Sequence, residues 1–497
     1  MGVRVVASRP PAHARVGHIV IQRAWSRAAR ARDFRAASPL FLAPLRRHPA
    51  GCGEHAGCDG SVATDPQGGD VAAGAYRWVV LFFGVLTYAT SHFARQNYAG
   101  IQQFIAADFA LDRAAFGLMG SVFFYAYALS QLPWGISADK FGGRGVAALG
   151  ILLTAAAMAG FATSRSETEL LLWRALAGVA GAAAYVAIAG AVARWFPVSE
   201  RGLSQGMLGG VGGALGESAA FFLLPVLSVY FAAGWRQATF AMALAIGVIG
   251  VLCVSFLRSA PPRTQATIAK PLTWDMLTQP VLWCYAALFC AQVIGIRTSQ
   301  AWIAIYCTDV YITAYGYSVG TAAVAGGFLA MTTYSLLGRG LCVPLAGMVS
   351  DTLRTRGVPL LVQVIGWLGV AILSFQVLSL RITTVWLLGV VAVALGTAVN
   401  SFPLITASIT ETYGPQKTAS VFAFLNTMAQ IAGATVLALS GYAGVALSGR
   451  QANSLAEYQG IWLSSMTAVA VATAIGVGLY FAGRHRPVKS PAVLPST

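Results

Sequence analysis

Gly135-Ile-Ser-Ala-Asp139-Lys140-Phe-Gly142-Gly143-Arg144 closes one long apolar segment, and 212 residues later Gly347-Met-Val-Ser-Asp351-Thr-Leu-Arg354-Thr-Arg356 closes another. Each stretch places small residues and one carboxylate at the end of a membrane-length hydrophobic run, followed by a basic turn. Repetition of that signal at matching places implies two similar membrane halves, a plan common among secondary transporters.

Composition leads to the same expectation independently. The 497-residue chain is 57% hydrophobic and only 10% charged, against roughly 25% charged in soluble domains. So few charges would not solvate the surfaces of several soluble domains. Apolar runs of about 20 residues, enough to span a bilayer, recur along the chain. They predict helices near 77–97, 114–137, 145–163, 168–195, 203–230, 236–257, 281–306, 319–348, 358–378, 383–408, 418–447 and 459–482. The expected fold is therefore an all-α membrane protein of twelve transmembrane helices in two pseudo-symmetric six-helix halves, 76–257 and 281–483. A cytoplasmic connector, 258–280, joins them, and 484–497 forms a tail.

The charges orient this arrangement. With both termini cytoplasmic, the inner turns and tail hold Lys140, Arg144, Arg194, Arg201, Arg258, Arg263, Lys270, Arg354, Arg356, Lys417, Arg484, Arg486 and Lys489. The outer turns hold Arg113, Arg165, Arg236, Arg381 and Arg450. Thirteen against five is a positive-inside bias. The formal net charge of +16 is then mostly topology, and no soluble basic module for nucleic acid is visible. The expected setting is a bacterial plasma (inner) membrane, with the chain working as a monomer.

Residues 1–75 differ from everything after them, with ten arginines, no lysine and scattered Pro, Gly and Ala. Asp33, Glu54, Asp59, Asp65 and Asp70 fit a transit peptide poorly, and no clean apolar stretch follows a short basic start. A disordered extension or a start assigned too early is the expectation. Met119 is the first methionine after Met1, so a shorter product would begin at a non-standard codon such as Val71. Cys52 and Cys58 lack zinc-ligand partners, and the other five cysteines read as small apolar packing. No phosphate-cradling loop, metal-binding His pair or hydrolase elbow is present. The chain is thus not expected to be an enzyme or to need a cofactor, and a gradient rather than ATP would supply the energy.

The two loops resemble the signature of the major facilitator superfamily, found between helices 2 and 3 and again between helices 8 and 9. The first copy keeps the glycines, the aspartate and the basic residues; the second lacks the glycine pair. Arg95-Gln96-Asn97, Ser121-Val-Phe-Phe-Tyr125-Ala-Tyr127, Pro133-Trp-Gly135, Trp195-Phe-Pro197 and Glu200-Arg201-Gly202 narrow the resemblance. They are similar to the organic-anion branch, which includes sugar-acid symporters of the anion:cation symporter family and organophosphate:phosphate antiporters. The likeness covers about 77–485 and is stronger in the first half. It implies that Arg95 binds an anion, and that Arg297 lies within about one residue of the antiporters' helix 7 arginine. Those antiporters usually carry lysine where this chain has Gln96. The symporters carry a glutamate seven residues after the arginine matching Arg174, where this chain has Gly181. Arg174 itself, with Gly178, reads as structural.

Charges within the bilayer are costly, at least ~2.5–3.5 kcal/mol on insertion scales, so each one asks for a reason. Arg95 and Arg297 lie on helices 1 and 7, symmetry partners in this fold, and would face one cavity with Arg339 of helix 8. Guanidinium forks there would grip a carboxylate or phosphate bidentately. Arg95, counted along helix 1, falls nearer the outer face, where an interface arginine is the competing explanation. Tyr127, Gln131, Tyr185, Asn400, Asn426 and Gln430 are candidate pathway residues, the last two sharing one face of helix 11. Glu217, after Gly206, Gly209, Gly210, Gly212, Gly213 and Gly216, is the candidate proton-coupling group in place of the missing helix 4 acid; a structural ion pair to an arginine is the alternative. The glycine run itself is expected to pack on helix 8 or helix 1. It lacks the Gly-Pro step of drug antiporters.

Asp139 with Arg144, and Asp351 with Arg356, are expected to act in conformational gating. Asp139 would sit against helix 11 near Thr418, and Asp351 against helix 5 near Gly202, each at a positive helix end. The expected function is proton-coupled uptake of a small organic anion, a carboxylate or sugar acid. Alternatives are organophosphate:phosphate or other anion exchange and, from another class, a transport-fold anion sensor. Deleting residues 1–70 should leave transport unchanged, because that segment lacks the apolar periodicity to pack on the bundle; a truncated protein that inserts normally yet fails to transport would refute this.

Overall fold

The computed structural model describes residues 70–196, 200–232, 234–258, 273–448 and 455–484, so the expectations for residues 1–69 and for most of the connector lie outside the described residues. Among the described residues twelve long helices follow one another: α1 (Asp70–Gln96), α2 (Arg113–Phe141), α3 (Gly143–Thr163), α4 (Glu167–Trp195), α5 (Gly202–Tyr230) and α6 (Gly234–Phe256). Then come α7 (Pro280–Tyr315), α8 (Val319–Thr355), α9 (Leu360–Ser379), α10 (Val385–Tyr413), α11 (Pro415–Ser448) and α12 (Leu455–Arg484). Eleven are long and apolar enough to cross a membrane by length and composition. The exception is α1, whose last turns carry His92, Arg95 and Gln96.

Helix ends explain where the sequence-based boundaries slip. α1 stops at Gln96, and after a tight turn the chain re-enters a short helix, Gln102–Phe109, before α2. The last carbonyls of a helix have no partner of their own and must find one when no water is at hand. Here Arg174 of α4 supplies it: Nη1 donates to the Ala94 carbonyl at 2.7 Å and Nη2 to the Arg95 carbonyl at 3.0 Å. α7 runs nine residues beyond the predicted end. α10 breaks between Val399 and Phe402, before Pro403. π-helical turns occupy Met207–Gly212 and Ala219–Leu223 in α5 and Met331–Cys342 in α8, a winding that often marks function.

The halves meet at the end of the bundle remote from the two loop motifs. A methyl group at Gly327 of α8 would collide with the Phe221 carbonyl of α5, and one at Gly441 of α11 with the Arg113 carbonyl of α2. Across the same α2–α11 seam, Ser121 donates to the Ala434 carbonyl at 2.7 Å and Tyr125 bonds Thr435 at 2.7 Å. Arg113 was expected in a solvated turn. Instead it is fully buried, donating to Asp309 of α7 and, at 3.3 Å, to Glu457 of α12. Gln103 and Tyr458 also donate to Asp309. A charge from one half is thus enclosed by two carboxylates from the other.

At the motif end the halves stand apart. A methyl group at Gly202, Gly206, Gly209 or Gly210 of α5 would meet open space. Asp139 and Asp351 are exposed, and among the described residues neither makes the expected contact with α11 or α5. Arg144 stays within its own half, bonding the Val254 carbonyl of α6; Arg356 is exposed, while Arg354 pairs with Glu411. The physical reason is the conformation: those latches need the two halves together at the end that is here splayed. Arg113→Gln should cost about 3–5 kcal/mol, because two buried carboxylates then lose their cation. Arg77→Gln, at a partly exposed pair with Glu200, should cost under ~1 kcal/mol. Equal midpoints of thermal unfolding in detergent for the two variants would deny the buried cluster its holding role.

Candidate functional site

Between the halves, opposite the break in α10, lies a cavity of about 90 Å³. Arg95, Tyr127, Arg297, Arg339, Asn400, Asn426 and Gln430 line it, so every residue singled out for substrate except Gln131 is brought together. Gln131 stands just behind and accepts from Asn426 Nδ2 at 3.2 Å. Tyr88, His92, Tyr185, Phe289, Gln300 and Phe422 also face the space.

The three guanidiniums form a row. Arg297 donates to Gln430 Oε1 from Nε at 3.1 Å and Nη2 at 2.9 Å, and to Gln300 Oε1 from Nη1 at 3.0 Å. Its carbon lies 4.2 Å from the Phe124 ring centre. Arg95 lies over the same ring at 5.7 Å and over Tyr127 at 4.9 Å. Next comes His92, whose Nε2 is 3.5 Å from Arg95 Nη1 and 3.3 Å from Arg339 Nη2. Guanidinium nitrogens only donate, so Nε2 accepts and the ring is neutral. At the far end Arg339 Nη1 lies 3.6 Å from Glu217 Oε2, which also accepts from Ser335 at 2.9 Å.

Helix geometry explains this convergence. Arg95 sits where α1 stops, held by Arg174, so it lies within the bundle rather than at its interface. Gly212 and Gly216 bring α5 against Val85–His92 of α1, and Gly213 lies under the Arg339 guanidinium. The glycine run therefore packs on α1 and α8 together. Asn426 and Gln430 both face the cavity, and Gln430 Nε2 donates to Asn426 Oδ1 one turn away at 3.2 Å. Gln300 and Gln96 were not singled out. Gln96 Nε2 reaches across the halves to Gln300 Oε1 at 3.1 Å, and their positions one turn beyond and beside the two arginines were the available signal. Glu217 does not line the cavity; it backs Arg339 from α5.

Residues 84–333, half of the chain, match the Major Facilitator Superfamily. The chain belongs to that family. Its fold is that of a transporter and not of an enzyme. A bacterial homologue of the human lysosomal transporter Spinster, solved inward-facing and unoccupied, superposes with a TM-score of 0.63 at 18% identity, covering 84% of this chain and 99% of that one. Among curated relatives, the chloroplastic ascorbate transporter of Arabidopsis thaliana is 24% identical over 74% of this chain and 69% of its own length. The probable sulfoacetate transporter SauU of Cupriavidus necator is 30% identical over 39% of this chain and 45% of its own length. The chain thus spans well under two thirds of some relatives.

Among the row, Arg95 has the fewest polar partners, and its Nε is buried without any. Arg95→Lys keeps the charge but loses the planar fork. Uptake of an organic anion returned by a thermal-shift screen should fall about tenfold or more with expression unchanged. Uptake within about twofold of the parent protein would remove Arg95 from the site.

Proposed function

We propose that this transporter imports a small organic anion, a carboxylate or sugar acid, with protons and by alternating access. The observation that carries the reading is the row Arg95, Arg297 and Arg339, three buried guanidiniums on one cavity that has no carboxylate in its lining. Cations so placed are costly in a membrane unless an anion visits, and guanidinium forks match carboxylate geometry. A cavity of about 90 Å³ suits a small metabolite better than the 300–1,000 Å³ typical of drug-sized ligands. Relatives named as transporters of ascorbate and sulfoacetate point the same way.

The orientation in this reading places the motif end and both termini in the cytoplasm. With Arg113 buried rather than in a turn, the positive-inside bias sharpens to thirteen against four. The cavity then faces inward, and Arg113, Asp309 and Glu457 seal the outside. Rocking of the halves breaks that seal and lets Asp139 and Asp351 approach α11 and α5.

Glu217 is the proposed coupling group. While ionised, it neutralises Arg339; once protonated it releases that guanidinium to the anion, so proton and substrate assist each other's binding. Glu217→Gln mimics the protonated acid without a proton to give up. Uptake driven by a pH gradient in proteoliposomes should be lost, while exchange of internal for external anion survives. Gradient-driven uptake equal to that of the parent would make Glu217 a packing residue; loss of exchange as well would place it in the anion site or the fold.

A further inference from the structure

We propose that the site selects dianions, ligands with two anionic groups a few bonds apart, over monoanions of the same size; this rests on the anion-carrier reading above. Arg95, Arg297 and Arg339 contribute three positive charges, Glu217 one negative charge, and His92 none because its Nε2 accepts from two guanidiniums. Tyr88, Tyr127 and Tyr185 are the remaining titratable groups on the cavity. The substrate-free site therefore carries an excess of two.

Where that excess sits matters as much as its size. Glu217 compensates the Arg339 end of the row only. Arg297 is held by the amide oxygens of Gln430 and Gln300, which orient the fork and satisfy its donors without neutralising it. Arg95 has a neutral imidazole and two aromatic faces. These two uncompensated guanidiniums come from opposite halves, α7 and α1, and share the ring of Phe124.

In the open state water and salt screen such an excess, but a rocking carrier must pass through a state closed on both sides. There the charges meet a low dielectric, and each unpaired ion costs several kcal/mol. A ligand with one negative charge leaves one uncompensated guanidinium in that state while Glu217 is ionised, and two when it is protonated. A ligand with two leaves none or one. Two anionic groups, one per half, also tie the halves together across the cavity, which is the work a substrate must do to draw a carrier shut.

The test compares matched pairs on the full-length protein in detergent: succinate with succinamate, its half-amide, and the malonate and glutarate pairs. Ligand-induced rise in the unfolding midpoint is the readout. In at least one pair the dicarboxylate should act at an about tenfold lower concentration than the half-amide. Arg297→Gln should shrink that ratio to about twofold, because one uncompensated charge is gone. Equal potency within every pair overturns dianion selection while leaving an anion carrier standing. Absence of stabilisation by any mono- or dicarboxylate overturns both readings.

Discussion

A guanidinium in a bilayer keeps its charge, so each buried arginine must be given partners by the fold, and the way each is satisfied sorts the five buried among the described residues by role. Arg174 spends its donors on backbone carbonyls at the end of α1 and on Asn97, which fixes a helix terminus. Arg113 is enclosed by two carboxylates, which fixes one half to the other. Arg297, Arg95 and Arg339 have amides, a neutral imidazole, the Gly209 carbonyl and one carboxylate, Glu217 at 3.6 Å. Of the five, only this last group lines the cavity. Desolvation makes incomplete compensation expensive, so a fold retains it where a ligand completes it.

The same accounting separates the two ends of the molecule. At the end remote from the loop motifs, backbones touch through glycines and the Arg113 cluster excludes water. At the motif end, glycines of α5 face open space and both loop aspartates are solvated. Between them the α2–α11 seam carries polar links down to Gln131 and Asn426, about where the cavity begins. Polar pairs of that kind are worth little individually in membranes, about 0.6 kcal/mol. They suit a seam that must open and close, whereas a buried ion cluster suits the end that bears the closure.

Much of this was legible in the sequence and some was not, for reasons that can be named. Repeated loops and apolar length gave twelve helices and two halves because membrane spans are set by bilayer thickness. Charges in apolar runs gave Arg95, Arg297, Arg339 and Glu217 because such charges are rare. Arg113, Asp309 and Glu457 escaped because each lies just outside a predicted helix (114–137, 281–306 and 459–482), where a charge reads as belonging to a solvated turn. Only three-dimensional pairing tells a buried terminus from an exposed one. The burial of Arg95 was missed for a related reason: counting rise per residue places a residue along its helix and says nothing of the neighbours that enclose its side chain. The contacts expected of Asp139 and Asp351 are not made where the two halves stand apart, and both carboxylates are exposed.

Glu217 links these threads. It sits on α5 between two π-helical turns, and its partners Arg339 and Ser335 lie on the π-helical stretch of α8. The contact therefore crosses between the halves as well as bordering the anion row. Under the coupling proposed above, protonation does two things at once. It frees a guanidinium for substrate, and it weakens an ionic tie that holds α5 to α8. A carrier needs those events together, since a proton that loaded the site without loosening the bundle would trap the substrate, and one that loosened it without loading would leak. Placing the titrating group on the seam, one residue behind the cavity wall, makes both follow from a single change of charge.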